Sequence, residues 1–221
     1  MTRFIIIALI TAFMQNLFAN EWQMLLPESE QQKILSTRNY PPNARQRLSA
    51  KAAQAGYAAL ARKELNNAMQ EFNRAWRFNP QNIDAYWGAA IVSGLQAETT
   101  AKASEAQKRI ENSLKLFKLA EKYLSGNRIE KENYQLDYAA SCYAAGVIML
   151  KSEKTSAEKY FAEAEKLWLP LLKDRNLQKQ RDFMVYYRTC WHLTKLYRDW
   201  GKTDLYQKYL NILPEAVRKK L

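Results

Sequence analysis

The sequence is poor in the residues that make tight turns. Of its 221 residues only six are Gly and six are Pro, and no Pro lies between Pro80 and Pro170. A β-sandwich or β-barrel needs a turn about every 8–12 residues, and therefore many more turn residues. The chain is 48% hydrophobic and 25% charged, a balance that excludes a disordered tail and a polytopic membrane protein. We therefore predict an all-α protein.

Cysteine and histidine are scarce as well. The only cysteines, Cys142 and Cys190, form no CxxC pair, and His192 is the single histidine. Zinc sites and thioredoxin-type sites need closer Cys and His spacing. The motifs GxSxG, HExxH, GxGxxG and GxxxxGK[ST] are absent, and acidic residues such as Glu158 and Glu163 alternate with lysines as on a solvated helix face. We expect no enzyme, metal, cofactor or small-molecule substrate.

Positive charge is in excess along the whole chain. The net charge is +12, and residues 181–221 alone carry nine Lys or Arg against four Asp or Glu. A diffuse excess favours anionic surfaces or an acidic protein partner. Nucleic-acid-binding proteins usually concentrate the charge on one stripe or carry a known module, and neither is present here. We therefore predict no nucleic acid as partner.

The N-terminus has the pattern of an export signal. Arg3 precedes eleven uncharged, mostly apolar residues, 4–14, and a small residue follows at Ala19. This run is shorter than the roughly 20 residues that cross a bilayer and suits a secretory signal peptide, 1–19. An uncleaved anchor or a buried N-terminal helix remains the alternative. Cleavage would make the protein periplasmic or secreted.

The remaining chain divides into a lead-in segment and a helical domain. Residues 20–42 contain Pro27 and the pair Pro41-Pro42, and we expect at most one short helix there. From 43 to 221 the pattern is helical, with Asn43 as a candidate N-cap. The first hairpin spans 44–80, and its tight turn at Lys63-Glu64 makes its two helices antiparallel.

Small and aromatic residues in this hairpin follow a regular spacing. Gly56, Ala68, Phe72, Ala75 and Pro80 lie at successive steps of 12, 4, 3 and 5 residues. In this spacing the sequence resembles the tetratricopeptide repeat family, in which small residues let two helices touch and an aromatic wedge fills the gap. The same steps recur, wholly or in part, at Ser113, Phe117, Ala120; Ala145, Ala157, Phe161, Ala164, Pro170; and Thr194, Tyr206, Leu210, Leu213, Pro214.

The repeat period of about 45 residues is longer than the 34 of the family. We expect longer helices or insertions in the turns, with candidate breaks at 96–104, 124–130 and 172–178. The resemblance implies a right-handed solenoid of about four stacked antiparallel helical hairpins.

In that family the first helix of each hairpin lines a groove for a peptide. The register then predicts a groove formed by Tyr57, Leu60, Trp87, Ile91, Met149, Arg188, Trp191 and Lys195. The alternative is that most of these side chains belong to the stacking core. Ala53 and Tyr57 stand where some members clamp a peptide carboxylate, so no chaperone-tail recognition is expected. The same register places Cys142 and Cys190 on neighbouring first helices, where they either pair as a disulfide or stay free thiols.

Two functions follow as expectations. The first is an exported scaffold that binds an acidic protein or peptide partner within a bacterial cell-envelope assembly of the secretion, pilus or conjugation type. The second is a basic envelope adaptor that rests on an anionic membrane or cell-wall surface.

Overall fold

The computed structural model describes residues 23–36, 40–173, 175–219 and 221. These residues form ten α-helices, two 3₁₀ turns and no strand. The 3₁₀ turns are Gln23–Leu25 and Leu169–Leu172, and the helices are α1 (Glu28–Ser36), α2 (Pro42–Ala61), α3 (Leu65–Phe78), α4 (Ile83–Thr99), α5 (Ala103–Glu121), α6 (Arg128–Leu150), α7 (Lys154–Trp168), α8 (Gln180–Trp200), α9 (Thr203–Ile212) and α10 (Glu215–Arg218). The expected signal peptide lies outside the described residues.

The chain forms two compact units. Unit 1 contains the described residues up to Gln96 together with Lys115–Leu124, and unit 2 contains Ala97–Leu114 and the described residues from Ser125 onwards. In each unit, consecutive helices joined by short turns pack against one another: α2 with α3 in unit 1, and α6 with α7 and α8 with α9 in unit 2. The prediction of an all-α fold of antiparallel helical hairpins is confirmed.

In unit 1, buried polar side chains tie α2, α3 and α4 together. The Ser49 hydroxyl donates to the Ala75 carbonyl at 2.8 Å and accepts from the Asn82 amide at 2.7 Å. The Trp76 indole N–H donates to the Tyr86 hydroxyl at 3.1 Å, and that hydroxyl donates to a main-chain carbonyl at 2.8 Å. Since buried polar groups cost free energy unless they are hydrogen bonded, these pairs favour one arrangement of the three helices.

In unit 2, one apolar core joins both hairpins. Phe161 and Trp168 of α7 are fully buried beside Cys190, Leu193 and Leu196 of α8. The 3₁₀ turn after α7 packs against α8 as well, and closes this core.

The ten glycine, alanine and phenylalanine residues of the repeated spacing are buried, whereas Pro80, Pro170, Tyr206, Leu210 and Pro214 are partly or largely exposed. Phe72, Phe117 and Phe161 are fully enclosed. The remaining seven buried positions are Gly56, Ala68, Ala75, Ala120, Ala145, Ala157 and Ala164.

Two local expectations were wrong. Asn43 is not an N-cap, because α2 already begins at Pro42, whose fixed φ suits a first helical turn. The break expected over 96–104 is shorter, since α4 continues to Thr99 and α5 begins at Ala103. Helices as long as the 23 residues of α6 therefore account for much of the long period.

Candidate functional site

Unit 2 contains a cavity of about 600 Å³ that opens to solvent. Its floor is buried and its rim is exposed. The end of α4, the start of α5, the C-terminal half of α6 and one residue of α8 line it. The lining residues are Ala97, Glu98, Thr100, Ala101, Ala103, Ser104, Ala106, Gln107, Tyr143, Ala144, Val147, Ile148, Met149, Lys151, Ser152 and Lys195.

The cavity exists because small side chains line it. Five of the lining residues are alanines, and Ala97, Ala106 and Ala144 of the floor are each no more than 5% exposed. A methyl group leaves unfilled the space that a leucine would occupy, so the helices pack without closing the gap. Val147, Ile148 and Met149 complete an apolar wall.

Two aromatic rings hold a lysine at the cavity wall. The Lys195 ammonium lies 4.7 Å from the centre of the Trp191 ring and 5.4 Å from that of Tyr143. The Tyr143 hydroxyl donates to Asp199, which fixes the ring. Rings at these distances attract a cation, so the charge of Lys195 is presented in one place.

Glu98 provides the one carboxylate that lines the cavity. Desolvation raises the pKa of Glu98, and the nearby charge of Lys195 lowers it, with a net shift upwards. Burial therefore disfavours the charged form of Glu98, and the nearby charge of Lys195 offsets part of that effect.

The predicted groove residues are placed differently in the two units. In unit 2, Met149 and Lys195 line the cavity and Trp191 lies against Lys195. Arg188 is exposed and pairs with Asp137 at 3.0 Å.

In unit 1, the Tyr57 hydroxyl donates to Asp84 at 3.3 Å, and Trp87 is buried. Leu60 and Ile91 are partly buried.

Sequence reasoning missed Glu98, Tyr143 and Lys151 at the cavity. Tyr143 and Val147 of α6 and Lys151, which caps its C-terminus, are spaced by four, which puts them on one face. That spacing was a usable signal. No local signal exists for Glu98, which meets the others only through the tertiary fold.

The remaining chemical groups lie in the core or against it. The His192 imidazole stacks on Trp168 with ring centres 4.8 Å apart, and burial lowers its pKa to about 3. Cys142 and Cys190 are both buried and free, and desolvation raises the pKa of Cys190 to about 11. A buried thiol of that kind is unreactive.

Neither a metal site nor a membrane-crossing helix is found in the described part of the chain. No three His, Cys, Asp or Glu side chains cluster there as metal ligands would. None of the helices combines the length and apolar character needed to cross a bilayer.

Comparisons with known proteins add little. No family model and no curated protein matches this sequence. One similar solved structure, described as "Functional Characterization of Pseudomonas Aeruginosa pilF", is 16% identical, with a TM-score of 0.26 over 80% of this chain and 97% of that one. A likeness at that TM-score carries no argument about fold or function.

Proposed function

We propose that this chain is an exported, tetratricopeptide-like scaffold without enzymatic activity that binds a protein partner in a bacterial cell-envelope assembly. The observation that carries this proposal is the open apolar cavity of unit 2, with Lys195 held at its wall. Pockets of this size, mostly apolar with a few placed polar groups, are typical binding sites. The export pattern of residues 1–19 supports the envelope location.

Partner binding would follow the usual anatomy of an interface. An aromatic and cationic centre such as Trp191 and Lys195 supplies most of the binding free energy when water is excluded from it. The net charge of +12 speeds the encounter with an acidic partner.

Site-specific photocrosslinking in the native envelope tests this proposal. A photoreactive phenylalanine analogue replaces Ser104, an exposed rim residue of the cavity, and in a matched control replaces Lys159, exposed on α7 away from it. We expect one discrete protein crosslinked from position 104 and not from 159, retained in high-salt washes. Equal crosslinking from both positions, or recovery of no protein, would contradict the proposal.

A second candidate is the basic adaptor on an anionic surface. It is favoured by exposed apolar side chains at the start of α8, where Phe183 is 41% and Met184 59% exposed, with Leu177 exposed just before them. Lys173 and Lys179 are exposed in the same region. Apolar side chains beside lysines are common where proteins rest on anionic lipid.

Vesicle flotation distinguishes this second candidate from the first. Binding to vesicles with an anionic lipid, absent with neutral lipid and lost at high salt or in the pair Phe183→Ser and Met184→Ser, would support the adaptor. Binding unaffected by salt or by that pair would exclude it.

A further inference from the structure

The cavity of unit 2 has an exposed rim and a buried floor. Ala101 and Ser104 lie at the exposed rim, whereas Ala106 and Ala144 lie at the floor. An occupant can therefore enter from solvent at the exposed rim and reach the apolar alanines of the floor. Its volume of about 600 Å³ is larger than one side chain needs, so more than one side chain of an occupant can enter.

Positive charge at the cavity exceeds negative charge. Lys195 and Lys151 line it, and the ion pairs found among the described residues include neither lysine. Glu98 is the one acidic residue of the lining, and Asp199 already accepts from Tyr143. A carboxylate brought by an occupant would thus find a lysine without a salt-bridge partner.

We infer that the cavity binds a segment of the partner protein in which an apolar side chain is followed or preceded closely by Asp or Glu. The apolar side chain lies against the alanines of the floor, and the carboxylate pairs with Lys195. This inference rests on the proposed function and specifies the partner's recognition element.

The position of Lys195 makes the pairing selective. Because Trp191 and Tyr143 hold the ammonium at 4.7 and 5.4 Å from their ring centres, little side-chain freedom is lost on binding. A hydrogen bond to a charged group that is shielded from water changes affinity by about tenfold or more.

A random nine-residue peptide library displayed on phage tests the inference. Selection uses the immobilised full-length mature protein, with counter-selection on Ala101→Trp, whose exposed position lets an indole cover the cavity mouth without disturbing the core. We expect selected peptides to share an apolar residue within two positions of Asp or Glu. Peptides without acidic enrichment, or peptides that bind Ala101→Trp equally well, would overturn it.

Fluorescence anisotropy with one selected peptide then assigns the charge pairing. Lys195→Met should weaken binding about tenfold or more, while Lys159→Met, a matched exposed lysine on α7, should leave it unchanged. Glu98→Gln removes a like charge and should leave binding equal or tighter. Weaker peptide binding by Glu98→Gln would overturn the pairing of the carboxylate with Lys195. Equal losses of affinity in Lys195→Met and Lys159→Met would overturn it as well.

A peptide in which Asp or Glu is replaced by its amide completes the test. This amide peptide should bind the wild-type protein much more weakly than the acidic peptide does. On Lys195→Met the two peptides should bind equally, since the two changes remove the same interaction. Independent, additive losses would show that the carboxylate pairs elsewhere. Matching thermal unfolding of all variants excludes misfolding as the cause.

The failure of this inference is separable from that of the proposed function. If a partner crosslinks from position 104 but no acidic peptide depends on Lys195, the scaffold stands and the recognition element is wrong. If position 104 captures a second copy of this chain or only lipid, both statements fail.

Discussion

At the residue scale, a buried phenylalanine lies over glycines of neighbouring helices. An added Cβ would lie 2.7 Å from the Phe72 ring at Gly56 and 2.1 Å from it at Gly88, and 2.4 Å from the Phe161 ring at Gly146. All three distances are shorter than real Cβ contacts. Of these three glycines only Gly56 belongs to the repeated spacing, and at all three a phenylalanine ring takes the space that a side chain would fill between helices.

Gly88→Ala should destabilise unit 1. The Phe72 ring cannot move away, because it is fully buried and contacts Gly56 on α2 as well. Overpacking of this kind costs about 1–3 kcal/mol, which exceeds the gain in helix propensity of about 1 kcal/mol. Urea unfolding of Gly88→Ala, Phe72→Leu and the double variant measures it. The double variant should lose less free energy of unfolding than the sum of the two single losses. Additive losses would contradict the contact between the Phe72 ring and position 88.

His192 should make stability depend on pH. Its pKa falls from 6.5 to about 3, first through desolvation and then through Arg188 and Lys195. The unfolded chain therefore binds a proton more readily than the folded chain between these two values. Stability from this residue is complete above pH 6.5 and is lost as the pH falls towards 3. His192→Phe, which keeps a ring on Trp168, should flatten the unfolding free energy between pH 4 and 6.5; an unchanged slope would refute this.

At the scale of the elements, a buried ionic cluster holds the segment before α8. Glu132 of α6 accepts from Arg175 at 2.9 Å and from Arg181 at 2.6 Å, and Arg175 also pairs with Asp182 at 3.2 Å. The side chains of Glu132 and Arg175 are 8% and 3% exposed. Desolvation raises the pKa of Glu132. The surrounding arginines together lower this pKa by more than desolvation raises it, so the net shift is downwards.

Glu132→Gln should be strongly destabilising. The substitution removes a negative charge beside the buried guanidinium of Arg175, which then keeps only Asp182 as a charged partner among the described residues. Breaking a buried ion pair costs about 3–5 kcal/mol. Arg128→Gln is the matched control, because Arg128 contacts the same carboxylate at 2.8 Å from an exposed position and should cost at most about 1 kcal/mol. Urea unfolding measures both. Equal effects of the two variants would show that burial does not set the strength of this cluster.

The two cysteines belong to neighbouring elements, α6 and α8. Both are buried and free, so we expect a thiol reagent to titrate two groups per chain in denaturant and almost none in the folded protein. The elevated pKa of Cys190, about 11, slows its reaction further at neutral pH. A count of zero thiols in denaturant without reductant would establish the disulfide instead.

At the scale of the whole molecule, the sequence predicts export and carries an excess of positive charge. We propose that residues 1–19 direct the chain across a membrane, and the net charge of the whole sequence, +12, of which Arg3 contributes one, would favour anionic partners there. Both properties belong to the chain as a whole.

Expression with the native N-terminus in a bacterial host tests the export prediction. Intact-mass measurement of the envelope fraction should show a chain that begins at Asn20, because a signal peptidase cuts after small residues such as Ala19. An Arg3→Glu variant should accumulate unprocessed. A full-length chain in the membrane fraction would support the uncleaved anchor.

The sequence alone determined the all-α class and the first hairpin, because glycine, alanine, phenylalanine and proline act through local spacing and fixed backbone preference. Helix α2 ends at Ala61, just before the turn at Lys63-Glu64, and α3 ends at Phe78, just before Asn79-Pro80. Only the tertiary structure decided the cavity. Glu98, Tyr143 and Lys195 lie far apart in sequence and meet because the alanines of three helices leave a gap. No local sequence pattern predicts which helix faces enclose that gap.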